Sequence, residues 1–173
     1  IVASPEVVGE TSKKSVWILG AAESHDHNMI SMMPDMTSTV SRTTGPLALQ
    51  RAGLNHDDID LTMIYDSFTY TVMASLEGLG FCGPGEAADF VKNQRTAPGG
   101  DFALNTNGGG LSYSHPGMYG SFLLVEAVRQ LRGEAGDRQI KSRQNPKDDP
   151  QISLVNDTGG SLSSTGTVIL ARD

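Results

Sequence analysis

Four short apolar runs, separated by helix-length segments, limit what this chain can fold into. Residues 16–22 (Val-Trp-Ile-Leu-Gly-Ala-Ala) and 61–65 (Leu-Thr-Met-Ile-Tyr) are too short for helices and read as buried strands. Residues 152–155 and 167–171 read the same way and follow one another directly. Helices are predicted over 46–52, 68–79, 84–92 and 120–132. Thr44 or Gly45 would cap the first, with Pro46 in its opening turn and Gly53 as its stop. Asp66 or Ser67 would cap the second. The last should bury Leu124, Val128 and Leu131 and stop at Gly133. Strand–helix alternation closed by two successive strands implies an α/β fold with a mixed sheet. The Gly- and Ser-rich residues 156–166 read as the turn between the closing strands, and 141–150 as an exposed loop.

The stretch Asn105-Thr-Asn-Gly-Gly-Gly-Leu-Ser-Tyr-Ser-His115-Pro-Gly-Met-Tyr-Gly120 lies directly ahead of the last helix. Three glycines allow a tight turn and a close approach to a ligand. Pro116 biases His115 toward an extended backbone. A histidine held this way is either a general acid/base or hydrogen-bond donor, or a surface residue on a structural turn. Asn105 and Asn107 either orient it or shape the turn. The segment from His25 to Val40 carries Met29, Met32, Met33 and Met36, which suits packing on a neighbouring domain or subunit, or contact with a substrate.

With 173 residues the chain is long enough for one domain with its own core. A net charge of −7 argues against binding nucleic acid non-specifically. No apolar run is long enough to span a membrane and no signal peptide is recognisable. The single Cys82 excludes an internal disulfide and fits a reducing, cytoplasmic setting. That cysteine reads as a small buried hydrophobe or a loop residue rather than a reactive thiol. His25 and His27 flank Asp26, but without a third ligand nearby no metal site is expected.

The 105–120 stretch resembles the Asn-x-x-Gly-Gly…Gly-His-Pro signature of the thiolase superfamily, above all its sterol-carrier (lipid-transfer) branch and acetyl-CoA acetyltransferase-like members. Glu126-Ala-Val-Arg-Gln-Leu-Arg-Gly-Glu134 and Asp137-Arg-Gln-Ile140 are similar to that branch's Glu-Ala…Gln-Leu-Arg-Gly…Arg-Gln segment. The likeness runs from about Ser15 to the end. It implies a thiolase-like half-domain with a mixed five-stranded sheet packed with helices over 15–173. Residues 1–14 are then the tail of an N-terminal half that would carry the nucleophilic cysteine.

The resemblance implies roles residue by residue. His115 matches the Gly-His-Pro histidine, with Ser114 in place of the glycine. Tyr65-Asp66-Ser67-Phe68 matches Asn-Glu-Ala-Phe, so Tyr65 stands where the family has Asn or His. A phenol can donate to an oxyanion but is a poor base, with an ordinary pKa of about 10. Asn156 or Asp157 takes the place of the second, C-terminal cysteine. Asp157 is either a base, if burial raises its pKa, or a turn residue. Asn105, Asn107, Gly109, Gly159 and Gly160 are the expected substrate-binding positions.

The implied chemistry is making or breaking a C–C bond next to the thioester of an acyl-CoA, in lipid metabolism, with no cofactor beyond the substrate's coenzyme A. The alternatives are retro-aldol cleavage with a small OB-fold partner, as in related lyases, and a non-catalytic acyl-CoA or lipid-binding module. A homodimer is implied. By itself the chain is expected to be inactive in thiolysis and to self-associate through an apolar surface.

Overall fold

The computed structural model describes residues 1–10 and 12–173. Five strands form one mixed sheet: β1 Val16–His25, β2 Leu61–Ile64, β3 Ala103–Leu104, β4 Ile152–Gly159 and β5 Ser164–Arg172. Their spatial order is β1-β5-β4-β2-β3. β2 runs parallel to both β3 and β4, while β5 is antiparallel to β4 and β1. The helices are α1 Ser41–Ala52, α2 Thr69–Leu79, α3 Ala87–Phe90, α4 Gly110–Tyr113 and α5 Gly120–Arg132.

Each face of the sheet has its own core. Ala48, Leu49, Leu76 and Leu79 from α1 and α2 pack on Ile64, Leu154 and Ile169. On the other face Tyr119, Leu123, Ala127 and Leu131 pack on Leu61, Met63, Tyr65, Val155 and Leu170. β2 is therefore buried along its whole length, and its run of Leu61, Thr62, Met63 and Ile64 suits covering from both sides.

Several elements differ from the sequence reading. β1 is longer than 16–22 and lies at the sheet's edge, with Ile18 and Leu19 exposed. An apolar run marks a strand without saying how many neighbours it has. α1 begins at Ser41, so Pro46 lies inside it rather than in its first turn. Buried Ser41, Thr44 and Gly45 place this early turn against the rest of the fold, and a Cβ on Gly45 would come within 2.8 Å of Leu79. The 84–92 helix shortens to α3.

α5 has the expected bounds, but its buried centre is Leu123 and Ala127, and Leu124 is exposed. Leu124 and Val128 fall on the flank of the buried stripe rather than at its middle. The turn at 156–166 contracts to residues 160–163, and Asn156 and Asp157 are strand residues. Asn156 is fully buried, donating to Thr167 (2.8 Å) and accepting from Ser41 (3.2 Å). A residue that favours turns when solvated is held in a strand here because its amide is satisfied inside.

The 141–150 loop is anchored by Asp60, which is buried and accepts hydrogen bonds from the Ser142 hydroxyl and the amides of Arg143 and Gln151. In the 25–40 segment Met29, Met32 and Met36 are exposed and Met33 is buried.

Candidate active site

The C-terminal ends of β2 and β4 lie side by side, with the Tyr65 amide donating to the Asn156 carbonyl at 3.0 Å. This pairing brings Tyr65 and Asp157, 92 positions apart in number, to one end of the sheet. The 105–120 loop delivers His115 to the same place. The Tyr65 hydroxyl lies 3.0 Å from His115 Nδ1, and the two rings are 5.7 Å apart. Tyr65 also stacks on Tyr119 at 4.9 Å, and Phe68 lies 6.3 Å from the imidazole. Ring packing thus fixes the phenol before any ligand arrives.

The loop itself is held through its main chain. The Asn105 carboxamide accepts from the Ile64 amide and donates to the Ile64 carbonyl, both at 2.8 Å. It extends the parallel ladder beyond β3 and is engaged with backbone rather than open to a ligand. Gly108 and Gly109 have φ of 94° and 73°, which favour glycine. A Cβ on Gly109 would stand 2.1 Å from Asp66 Oδ2. That close approach lets Asp66 accept from the amides of Gly110 (2.7 Å) and Leu111 (3.1 Å). Asp66 or Ser67 is expected to cap α2; instead Asp66 accepts from the first amides of α4, and α2 starts after Phe68 without a side-chain cap. Asn107 accepts from the Gly109 amide and donates to the Tyr113 hydroxyl at 2.8 Å, and Tyr119 donates to the same hydroxyl.

Asp157 sits on β4 beneath the start of α5. A Cβ on Gly120 would come within 2.4 Å of its Oδ2. Burial raises the Asp157 pKa, opposed by the amides of Gly120 and Thr158. Its Oδ1 is buried without a hydrogen-bond partner among the described residues. Burial also raises the Tyr65 pKa, assisted by the charges of Asp157 and Asp66. Tyr65 is therefore a protonated donor at neutral pH. Gly159 ends β4, and Gly160, at φ 60°, opens the hairpin turn. The structure thus brings Tyr65, His115 and Asp157 to one end of the sheet and places Asn105 and Gly160 in supporting geometry.

The 126–139 segment buttresses the loop. Glu126 is buried, accepts from Thr106 (2.9 Å) and Gln130 (3.1 Å), and pairs with Arg138 at 2.9 Å. Gln139 and Gln130 add bonds around the end of α5. Burial pushes the Glu126 pKa up, but hydrogen bonds from Arg138, Gln130 and Thr106 outweigh it and the net shift is downward. A carboxylate depressed in the fold contributes stability above its unfolded pKa, and that contribution is lost as pH falls through the folded value. Glu126→Gln should cost about 1–3 kcal/mol at neutral pH and much less in acid below the ordinary carboxylate range. Denaturant unfolding at both pH values measures the difference.

Other candidates lie elsewhere. Cys82 is half-buried beside the α1 and α2 core, and burial raises its pKa. His25 bonds Ser164 and Asn28, His27 bonds the Ser161 carbonyl, and Asp26 pairs with Arg42. Sequence reasoning missed the roles of Asp66 and Tyr113. The signal for Asp66 was its place beside Tyr65, and for Tyr113 its place two residues before His115.

A mixed sheet in this order, with a His-bearing Gly-rich loop at its C-terminal edge, defines a thiolase-like half-domain. Residues 22–172 match the thiolase C-terminal domain-like family, and the chain belongs to it. A steroid side-chain-cleaving aldolase of Thermomonospora curvata is 35% identical over 140 residues, covering 77% of this chain and 35% of its own length. An acetyl-CoA acetyltransferase of Methanothermobacter thermautotrophicus is 31% identical over 161 residues, covering 92% of this chain and 39% of its own. The chain thus spans well under half the length of these relatives. The solved structure of the Ltp2-ChsH2(DUF35) aldolase superposes with a TM-score of 0.77 at 30% identity, over 98% of this chain and 42% of that one. Among the described residues no helix is long and apolar enough to cross a membrane.

Proposed function

We propose that this chain supplies the oxyanion-binding and proton-transfer side of an active site that makes or breaks a C–C bond next to the thioester of an acyl-CoA. The observation that carries this reading is the 3.0 Å hydrogen bond between Tyr65 and His115 at the same sheet end as Asp157. With Tyr65 donating to Nδ1, the imidazole proton sits on Nε2 and is left to donate to a developing oxyanion. Asp157, with one oxygen unpartnered and a raised pKa, is suited to move a proton. The reading calls for no cofactor beyond the substrate's coenzyme A.

Retro-aldol cleavage is the alternative within this reading, supported by Tyr65, which the resemblance puts where thiolases have Asn or His, and by Asn156 or Asp157 in the place of their C-terminal cysteine. Asp157 takes the proton of the β-hydroxyl. The carbonyl forms as the bond between the α and β carbons breaks. The electron pair moves onto the thioester oxygen, where His115 donates, and the enolate is then protonated on carbon. The aldolase relatives support a partner protein for such chemistry, here an OB-fold protein. A homodimer in the cytoplasm acting in lipid metabolism completes the proposal, with the α5 side of the sheet facing the preceding half of the enzyme. The exposed Phe122, Leu124 and Val125 suit that contact.

Both reactions pass through an enolate, so one experiment tests them together. The whole polypeptide that carries this chain is incubated with acyl-CoA in deuterated water, and α-proton exchange is followed by mass spectrometry. Exchange above buffer, absent in His115→Ala, is expected. Exchange no faster than in buffer would overturn the reading.

A further inference from the structure

The loop that carries His115 holds one residue that the fold does not explain. Among the described residues, the large apolar side chains at positive φ are Leu162 and Met118, both at 60°. Leu162 is half-buried, so its packing offsets the strain, whereas Met118 is 85% exposed. The left-handed region brings a Cβ too close to the following carbonyl oxygen, and glycine alone enters it freely.

The turn at Met118 has a use of its own. The Met118 carbonyl accepts from the Ser121 amide at 3.2 Å as α5 opens, and the next residue, Tyr119, turns inward and stacks on Tyr65. Glycine at this position would make the same turn without strain. A side chain kept at a strained position without packing there points to a contact outside the fold.

Its place says which contact. Residues 116–119 arch from His115 to Gly120, whose amide donates to Asp157. The groups that hold charge and move a proton in the reading above thus stand at the two feet of the arch. Pro116 is half-buried, Gly117 has no side chain and Tyr119 is buried. Met118 is therefore the side chain that the arch presents to a molecule lying between its feet. A thioether donates no hydrogen bond and accepts only weakly. It suits an apolar group and leaves the amides of coenzyme A's pantetheine arm unmet.

We propose that Met118 is a specificity-determining residue, whose thioether packs on the apolar chain of the acyl group held between His115 and Asp157. The inference rests on the acyl-CoA reading above and deepens it to acyl groups with a chain beyond the reacting carbons.

The whole polypeptide that carries this chain is assayed by α-proton exchange with straight-chain acyl-CoAs from acetyl to dodecanoyl, and kcat and KM are taken for each. In Met118→Gly the ratio of kcat/KM for dodecanoyl-CoA to that for acetyl-CoA should fall roughly tenfold, through KM. Met118→Asn, whose carboxamide tolerates the left-handed turn, should behave alike, and Met118→Leu should keep the wild-type ratio. The glycine and asparagine variants should melt no lower than the wild type, because they relieve strain. A ratio unmoved in Met118→Gly, or a loss shared equally by acetyl-CoA, would overturn the inference. So would a lower melting temperature, which would put Met118 against the preceding half of the enzyme instead. If the wild type exchanges these ligands while the ratio ignores residue 118, only this inference fails. If the wild type exchanges none of them faster than buffer, the acyl-CoA function fails with it.

Discussion

His115→Ala is expected to lower turnover of the whole enzyme by about a hundred- to a thousandfold, or roughly 2.7–4 kcal/mol, the usual cost of one preorganised oxyanion donor. The fold should persist. His115 is exposed, and the loop that carries it is held by Asp66 and Asn105 without help from the imidazole. Tyr65→Phe separates two contributions at this site. It keeps the ring that stacks on Tyr119 and removes the hydroxyl that fixes the imidazole. A smaller loss than for His115→Ala, mainly in kcat, is the expected result. Unchanged turnover in Tyr65→Phe would mean that the phenol only packs. Unchanged turnover in both variants would favour a binding module over an enzyme. Steady-state kinetics with circular dichroism on each variant decides among these outcomes.

Asp157→Asn should move activity and stability in opposite directions. The substitution removes the proton acceptor, and positioned acid–base groups contribute about a hundred- to ten-thousandfold to rate. It also removes a carboxylate whose folded pKa is raised by burial. The folded state then binds that proton more tightly than the unfolded state does, so the wild type loses stability as pH rises through the ordinary carboxylate range toward the folded pKa. The asparagine variant has no such loss. Its melting temperature should exceed that of the wild type at neutral pH, with the advantage fading in acid. A variant less stable than the wild type at neutral pH would show that Asp157 is held charged by contacts stronger than the amides of Gly120 and Thr158. Melting curves across pH, alongside kcat, provide the check.

The strand–helix alternation was legible because β2, α5 and β5 each carry a dense apolar pattern bounded by clear stops, with Gly133 ending α5 as expected. The same pattern was silent on neighbours. β1 therefore passed for a buried strand, and the two-residue β3, with only Ala103 and Leu104, left no periodic signal at all. Asp157 was ambiguous because Asn156, Asp157 and two nearby glycines favour a turn in water, whereas here long-range pairing with β5 carries the strand through to Gly159. His115 stood out because of Pro116 and the glycines before it. What no local pattern could reveal was which main-chain groups Asp66 and Asn105 would hold. Those partners, at 110, 111 and 64, are distant in sequence and become neighbours only when β2 and β3 pair.

The way the Gly-rich loop is fastened bears on how such a protein can change. Asp66 grips two loop amides, and Asn105 grips the amide and carbonyl of Ile64; neither anchor reads a side chain of the loop. The reactive groups from Ser112 to Met118 can therefore be exchanged while the frame that presents them is left standing. A lineage built on this frame can drift from one acyl chemistry to another by single replacements at positions such as 113, 115 and 157. It need not first reinvent the loop.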